Sequence, residues 1–384
     1  MRHCSGDNKR ESSDWLIENP IARPENKPMS HSSTCITLMA LLLVLSCGRQ
    51  VEDISDSVST VTLSSLVKDT ARLLIPEREL DFPVSALQIS VWKDSVSVVR
   101  NGVSRDNMFL EFRTLYGNKH IKSLFHAGNG PDEMLSFNFD YQSDSVVARD
   151  FMRNNIAIIP IDSVVFNPDY RVRLKKADIN TQYLWPFKGG LLAVNPFCFR
   201  NDEIGVNNDG FRFIQTDSSY TYKEEKEYEY RTFNVICMRF IISYDNDRIA
   251  VYNSSESEVE IYDTELNLLK IIKGPEMPHG IKYYINKYNY VSYYGEVPQA
   301  YFWACSNNNH FYLAYNGDFT SGNEKTIYDL SSWVFKFDWD GNFVDSYYVD
   351  HFISSMSLSE DGQSMYIFGV NRDGENVFYR ARLT

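Results

Sequence analysis

No apolar run in this 384-residue sequence is long enough to cross a membrane as a helix. The longest, Cys35–Leu45 (CITLMALLLVL), reaches only roughly half of a ~30 Å hydrocarbon core at about 1.5 Å per residue. Basic charge is scarce as well. The chain has 38 Lys and Arg against 51 Asp and Glu, a formal net charge of −13. Acids and bases balance within residues 1–46, so the rest of the chain keeps the whole deficit. Such a surface repels a phosphate backbone and exerts no long-range pull on anionic head groups, so nucleic acid is not an expected partner. Of six cysteines, only Cys198, Cys237 and Cys305 follow residue 47. Their spacing fits no metal motif, and an odd count argues against a disulfide framework. Each lies in an apolar, strand-like context (NPFCF, NVICM, YFWAC) and is expected as a buried free thiol. His120, His126, His279, His310 and His351 follow residue 47, and no two have metal-binding spacing. There is no G-x-S-x-G elbow. No catalytic residue, metal or cofactor is therefore expected.

What is present begins with a leader. The short apolar run has the length of a signal-peptide core. It leads into Val44-Leu45-Ser46-Cys47-Gly48, which resembles the bacterial lipobox, where a small residue precedes a cysteine that is acylated and becomes residue one. Lipidation replaces a spanning helix, each buried methylene contributing about 0.8 kcal/mol. Residues 1–46 are thus expected as a signal peptide and Cys47 as the lipidated residue, giving a membrane partner through lipid. Residues 1–28 have no part in such a device, and Met29 offers a second start. Residues 47–57 are polar and acidic and read as a tether. Glu52 and Asp53 resemble the surface-export signals of Bacteroidota lipoproteins; a solvated linker is the alternative.

From residue 58 to 384 the chain is written in short strands. Ser85–Trp92 alternates, Lys93-Asp94 turns, and Ser95–Val99 alternates again. Arg239–Tyr252 and Ser355–Phe368 repeat this grammar of period-two runs and Asp/Asn/Gly turns. Tyr222–Arg231 reads equally as a short charged helix or a solvated loop. A longer repeat matches Val259–Leu269 with Val334–Val344, each a strand, an acidic turn and a strand. Outer hairpins are expected near 109–125, 155–173, 209–223, 258–272 and 333–349. Paired hairpins make four-stranded meanders, the unit of a propeller blade. The expected fold is all-β: a six-bladed β-propeller of four-stranded antiparallel blades. Its ring would be closed by the N-terminal strand Thr60-Val61-Thr62-Leu63, which supplies the strand missing after Asn376–Leu383. A two-sheet sandwich is the alternative.

Gly128-Asn129-Gly130-Pro131-Asp132-Glu133-Met134 resembles the G-x-G-P-x-E turn between blades of six-bladed, TolB-like or NHL-like propellers, many of them Bacteroidota lipoproteins. Tyr244–Pro275, Trp333–Leu383 and the Leu73–Pro76 segment are similar to that family too. The resemblance implies an interblade turn carried by Gly128, Gly130, Pro131 and Glu133. The same segment lacks the Lys-Ser/Thr of a phosphate loop. Asp338-Trp339-Asp340-Gly341-Asn342 lacks the twelfth-position Glu of a calcium loop, Val349 standing there, and reads as a hairpin.

One tract is chemically distinctive: Tyr283, Tyr284, Tyr288, Tyr290, Tyr293 and Tyr294 crowd a segment with Asn and Lys. Tyrosine offers flat apolar area with a hydroxyl, suited to sugar rings or peptide backbones. A packed interblade connection is the other reading. Together these features predict an outer-membrane, cell-envelope binding or scaffold module for a glycan, a peptide or an envelope protein. A polysaccharide- or peptide-cleaving hydrolase or lyase with its site at the channel is the alternative. An enzyme would gather ionisable groups of shifted pKa in the channel, and a binding module would gather aromatics.

Overall fold

Six sheets of four or five strands and one separate hairpin account for the strands of the computed structural model. It describes residues 58–102, 108–142, 144–150, 152–177, 183–194, 212–216, 219, 222–227, 238–254, 257–276, 282–285, 291–294, 297–320 and 330–383. The expected leader, Cys47, the 47–57 tether, Cys198, Cys237, His279, Tyr288 and Tyr290 lie outside the described residues.

In chain order, sheet I begins at Ala86–Trp92, II at Asn138–Gln142, III at Tyr183–Phe187, IV at Met238–Ser243, V at Val297–Ser306 and VI at Phe352–Leu358. Buried side chains join I to II, II to III and IV, IV to V, V to VI, and VI back to I. This circuit is an all-β propeller and excludes a two-sheet sandwich. The aromatic content finds its use between the sheets. Tyr301, Tyr315, Phe311, Phe335 and Phe337 fill the IV–V gap, with Tyr315 and Phe335 centroids 5.1 Å apart.

The turns are local and legible. Lys93 and Asp94 both adopt positive φ (45° and 47°), the type I′ geometry that matches strand twist. The longer sequence repeat is a repeated turn. Asn267 N donates to Asp263 Oδ1 and its amide to Oδ2, both at 2.8 Å, and Asn342 does the same to Asp338. Gly341 takes the left-handed position of that turn (φ 72°), and Leu266 accepts it (φ 66°) while buried between sheets.

Three expectations are corrected. Thr60–Leu63 does not complete the C-terminal sheet; Ser59–Thr62 runs parallel to Leu268–Lys273 at the edge of sheet IV. Arg72–Leu73 next lies parallel to Phe343–Val349 of sheet V, and Pro76–Glu79 becomes the fourth strand of sheet VI, beside Asn376–Arg382. The start of the domain is thus a strap over three successive edges. Its strands are exposed, but each is followed by a buried leucine (Leu63, Leu74, Leu80). The N–H of that leucine donates to the neighbouring edge, at Lys273 O, Tyr348 O and Phe378 O. Second, the blades are not uniformly four-stranded. Sheets IV and V gain a strap strand, and sheet I gains Glu133–Met134. Each addition is parallel and covers an open edge. Third, the outer pair expected near 155–173 is not a tight hairpin: the strand Asn155–Pro160 leads into the helix Ile161–Phe166 before Lys175–Lys176 returns antiparallel to it. Ile161 and Val164 of that helix pack beneath sheets I and II. Tyr222–Glu227, neither helix nor loop, is a strand of sheet III.

Between sheets I and II, Gly130 N donates to Glu133 Oε2 at 2.6 Å. A Cβ at Gly128 or Gly130 would meet the Glu133 carboxylate, which would have to swing aside and give up its bond to Gly130 N. Arg153, unremarked in the sequence, donates to Gly130 O, Glu133 O, Gly128 O and Asn129 Oδ1. Buried Asp150 accepts from Leu135 N, Ser136 N and Oγ, and Met152 N. Arg153→Met is expected to cost about 1–2 kcal/mol by stranding these carbonyls. A urea curve should shift its midpoint at unchanged slope; an unmoved midpoint would show the turn holds without Arg153.

Candidate functional site

The first strands of sheets II and III, III and IV, IV and V, V and VI, and VI and I are neighbours, so these strands wall the channel. A cavity of about 40 Å³ lies among Asp140, Tyr183, Trp185, Arg239, Tyr252 and Trp303, contributed by sheets II to V. At roughly 10–15 Å³ for a water, it accommodates about three.

Arg239 is the centrepiece. It donates Nη1–H to Phe302 O at 3.0 Å, and its guanidinium carbon lies 4.8 Å from the Tyr183 ring centroid and 5.6 Å from that of Trp303. Two more arginines reach the same field from second strands. Arg100 donates to Gln88 Oε1 and Phe137 O, both at 3.2 Å. Arg149 is only 5% exposed, and its Nη1 has no hydrogen-bond partner among the described residues.

The electrostatics follow from depth. Burial pushes the Asp140 carboxyl up to about 6, although Arg239, Arg149 and Arg100 all pull it down. Burial lowers Arg149 to about 10, with Asp140 and Tyr183 opposing. Arg100 is lowered by burial and then by repulsion from Arg239. Burial also opposes the Arg239 charge, but Tyr183, Tyr252 and Asp140 outweigh it and raise that group. Burial pushes Tyr252 upward, so it stays a neutral phenol. Asp140 and Arg239 are surrounded by protein yet keep partial exposure, as groups lining a lumen do. Among the described residues, three guanidiniums thus act electrostatically on one carboxylate, and of the three Arg239 lines the cavity. The arrangement can hold a small polar group between flat aromatic walls; its one carboxyl of shifted pKa can carry a proton near neutrality.

A larger cavity, about 530 Å³, lies at the rim between Leu73–Leu80 of the strap and sheet VI. Size alone would favour it. Its buried histidine, however, is already engaged. His351 Nδ1 meets Asp350 Oδ1 at 3.0 Å and its Nε2 meets the Tyr379 hydroxyl at 3.3 Å. Burial lowers its pKa, with Asp350 opposing. The channel cavity, where Asp140 and Arg239 meet aromatic rings from several sheets, is the better candidate.

Of the residues singled out in the sequence, Tyr283, Tyr284, Tyr293 and Tyr294 fall on the hairpin Lys282–Ile285/Val291–Tyr294, where Tyr283 is the register partner of Tyr293. Cys305, on the first strand of sheet V, is a free thiol whose pKa burial raises. No cluster of metal-ligating side chains occurs among the described residues. The channel groups carried no motif. Their signal was an arginine in an otherwise apolar strand: Val98-Val99-Arg100, Val146-Val147-Ala148-Arg149 and Arg239-Phe240-Ile241-Ile242. Charged residues are seldom buried without a partner, so each such arginine marks an inward polar site.

The ring of sheets and its narrow central cavity define a propeller domain. The chain belongs to the TolB-like 6-blade propeller-like family, whose model matches residues 87–361. No curated protein matches the sequence. Among solved structures it is similar to a member of the DUF4221 family from Bacteroides vulgatus, at 10% identity and a TM-score of 0.51, over 81% of this chain and 98% of that one. It is also similar to a Bacteroides fragilis protein predicted to be exported, at 10% identity and a TM-score of 0.49, over 85% and 99%. At that identity the first likeness is one of fold. No helix among the described residues is long and apolar enough to cross a membrane.

Proposed function

We propose that this protein is a cell-envelope lipoprotein whose propeller is a binding or scaffold module for a glycan, a peptide or an envelope protein, with the ligand held at the channel. One observation carries the reading: sheets II to V converge aromatic and cationic side chains on a single solvent-connected cavity. In this reading residues 1–46 are removed, acylated Cys47 anchors the chain in the outer membrane, and residues 47–57 are the tether. Six blades form the ring, Pro76–Glu79 closes it, and Gly128–Glu133 is an interblade turn.

A second reading, a lyase or hydrolase, is favoured by the raised Asp140 carboxyl. Glycosidases work with paired carboxylates. Among the described residues lining the cavity, Asp140 is the only acid, so binding is the better account.

Two measurements test the proposal. Cys47→Ala should move the protein from the membrane fraction to the soluble one, and a variant that still sediments after a salt wash would defeat the anchor. A glycan and peptide array probed with parent and Arg239→Gln proteins tests the channel. The variant should lose its hits by at least about tenfold while still unfolding in one cooperative transition. An unchanged pattern would move the site elsewhere.

A further inference from the structure

We propose that the rim cavity between the strap and sheet VI is a second binding site, separate from the channel, for a small organic cation: an amine carried on an apolar or aromatic body.

The cavity has room for such a molecule. Its volume of about 530 Å³ falls in the roughly 300–1,000 Å³ range of small-molecule sites, whereas the channel cavity of about 40 Å³ holds only a few waters. The strap forms one wall. The Asp350-His351 connection between sheets V and VI and the last hairpin of the chain form the other.

The charge on those walls has one sign. Glu79, Asp350 and Glu375 line the cavity, and no lysine or arginine does. All three acids are exposed, so a cation can reach them. Among the described residues, none of the three carboxylates pairs with a lysine or arginine: Asp350 Oδ1 meets His351 Nδ1, and Glu375 Oε2 accepts the Asn371 amide at 3.4 Å. Arg372 comes near, but it donates Nε–H to the Asp350 main-chain oxygen at 3.3 Å. His351 is the one lining group able to carry positive charge, and burial opposes its protonation. A chain of net charge −13 adds a longer-range attraction for cations.

The rest of the wall is apolar. Leu73 and Ile75 line the cavity and are 56% and 66% exposed, while Leu74 between them is buried. Phe82, Phe378 and Tyr379 add aromatic rings, whose faces attract an ammonium group and stack on a ligand ring. An inorganic cation would use the acids and leave these walls bare. A neutral apolar molecule would use the walls and leave the acids idle. An apolar amine uses both.

The test is calorimetric titration of the full chain in detergent with tryptamine, the detergent alone serving as blank. Tryptophol and indolepropionate keep the ring and replace the ammonium by a hydroxyl or a carboxylate; spermidine keeps positive charge without the ring. Saturable tryptamine binding, at least about tenfold tighter than any of these three and weakened by added salt, is expected. Glu79→Gln combined with Glu375→Gln should weaken it by at least about fivefold. Ile75→Trp, at an exposed position, should fill the cavity and abolish it. If Ile75→Trp does not fold, the double variant still decides, because both its side chains are exposed and keep their shape. Tryptophol or indolepropionate binding as tightly as tryptamine would overturn the proposal by removing the role of charge. Spermidine binding as tightly would overturn it by removing the role of the apolar wall, and so would the absence of saturable tryptamine binding. Tryptamine binding lost in Arg239→Gln but kept in Ile75→Trp would place the amine at the channel, overturning the rim site and leaving the channel reading intact.

Discussion

Removing residues 58–81 should abolish cooperative folding, whereas removing 58–66 should only lower the melting temperature by several degrees. The shorter deletion takes one exposed edge strand and one buried leucine, Leu63. Burying a leucine contributes about 1.5–3 kcal/mol. The longer deletion also takes Leu74 and Leu80, which pack with the V–VI and VI–I clusters, and the fourth strand of sheet VI. Three such leucines amount to about 5–9 kcal/mol, comparable with the whole stability of a typical domain of about 5–15 kcal/mol. The bare edge of Asn376–Arg382 would then invite aggregation. Thermal melts of the two truncations decide the matter: equal midpoints would mean that Pro76–Glu79 does not close the ring.

Asp140→Asn should stabilise the protein at pH 7.5 by about 2–3 kcal/mol and do almost nothing at pH 4. The folded carboxyl is pushed up to about 6, chiefly by burial. An unfolded Asp titrates near ~3.9. A group raised on folding contributes stability that is fully present below about pH 4 and is lost as pH rises through about 6. At neutral pH the parent protein therefore carries an unfavourable buried charge, and asparagine, like the protonated acid, avoids it. The difference in denaturation free energy between variant and parent, followed from pH 4 to 8, measures this directly. A variant less stable than the parent at pH 7.5 would mean that the arginines, not burial, dominate at Asp140. A charge retained at such cost is what a functional group in a channel looks like.

Much of the architecture was legible because it is written locally. Alternation sets strands, Lys93-Asp94 and the Asp263/Asn267 and Asp338/Asn342 turns set hairpins, and one hairpin following another sets blades. The strap was misread for a physical reason. Its strands are short and exposed, and only Leu63, Leu74 and Leu80 tie it down, a spacing of no secondary-structure period. The helix Ile161–Phe166 was missed because Ile-Asp-Ser-Val-Val-Phe carries β-branched residues and reads as strand. Packing beneath sheets I and II overrides that preference.

The sequence by itself determined an all-β chain of hairpins, an acidic surface unsuited to nucleic acid, and a tyrosine-rich tract. These depend on near neighbours, on period-two patterning and on composition. Tertiary structure alone decided which edges the N-terminal strap covers and which residues meet in the channel. Asp140, Tyr183, Arg239 and Trp303 come from four different sheets and lie far apart in the sequence. Only closure of the ring brings their charges together, and only depth within it turns an ordinary carboxylate into one that titrates near neutrality.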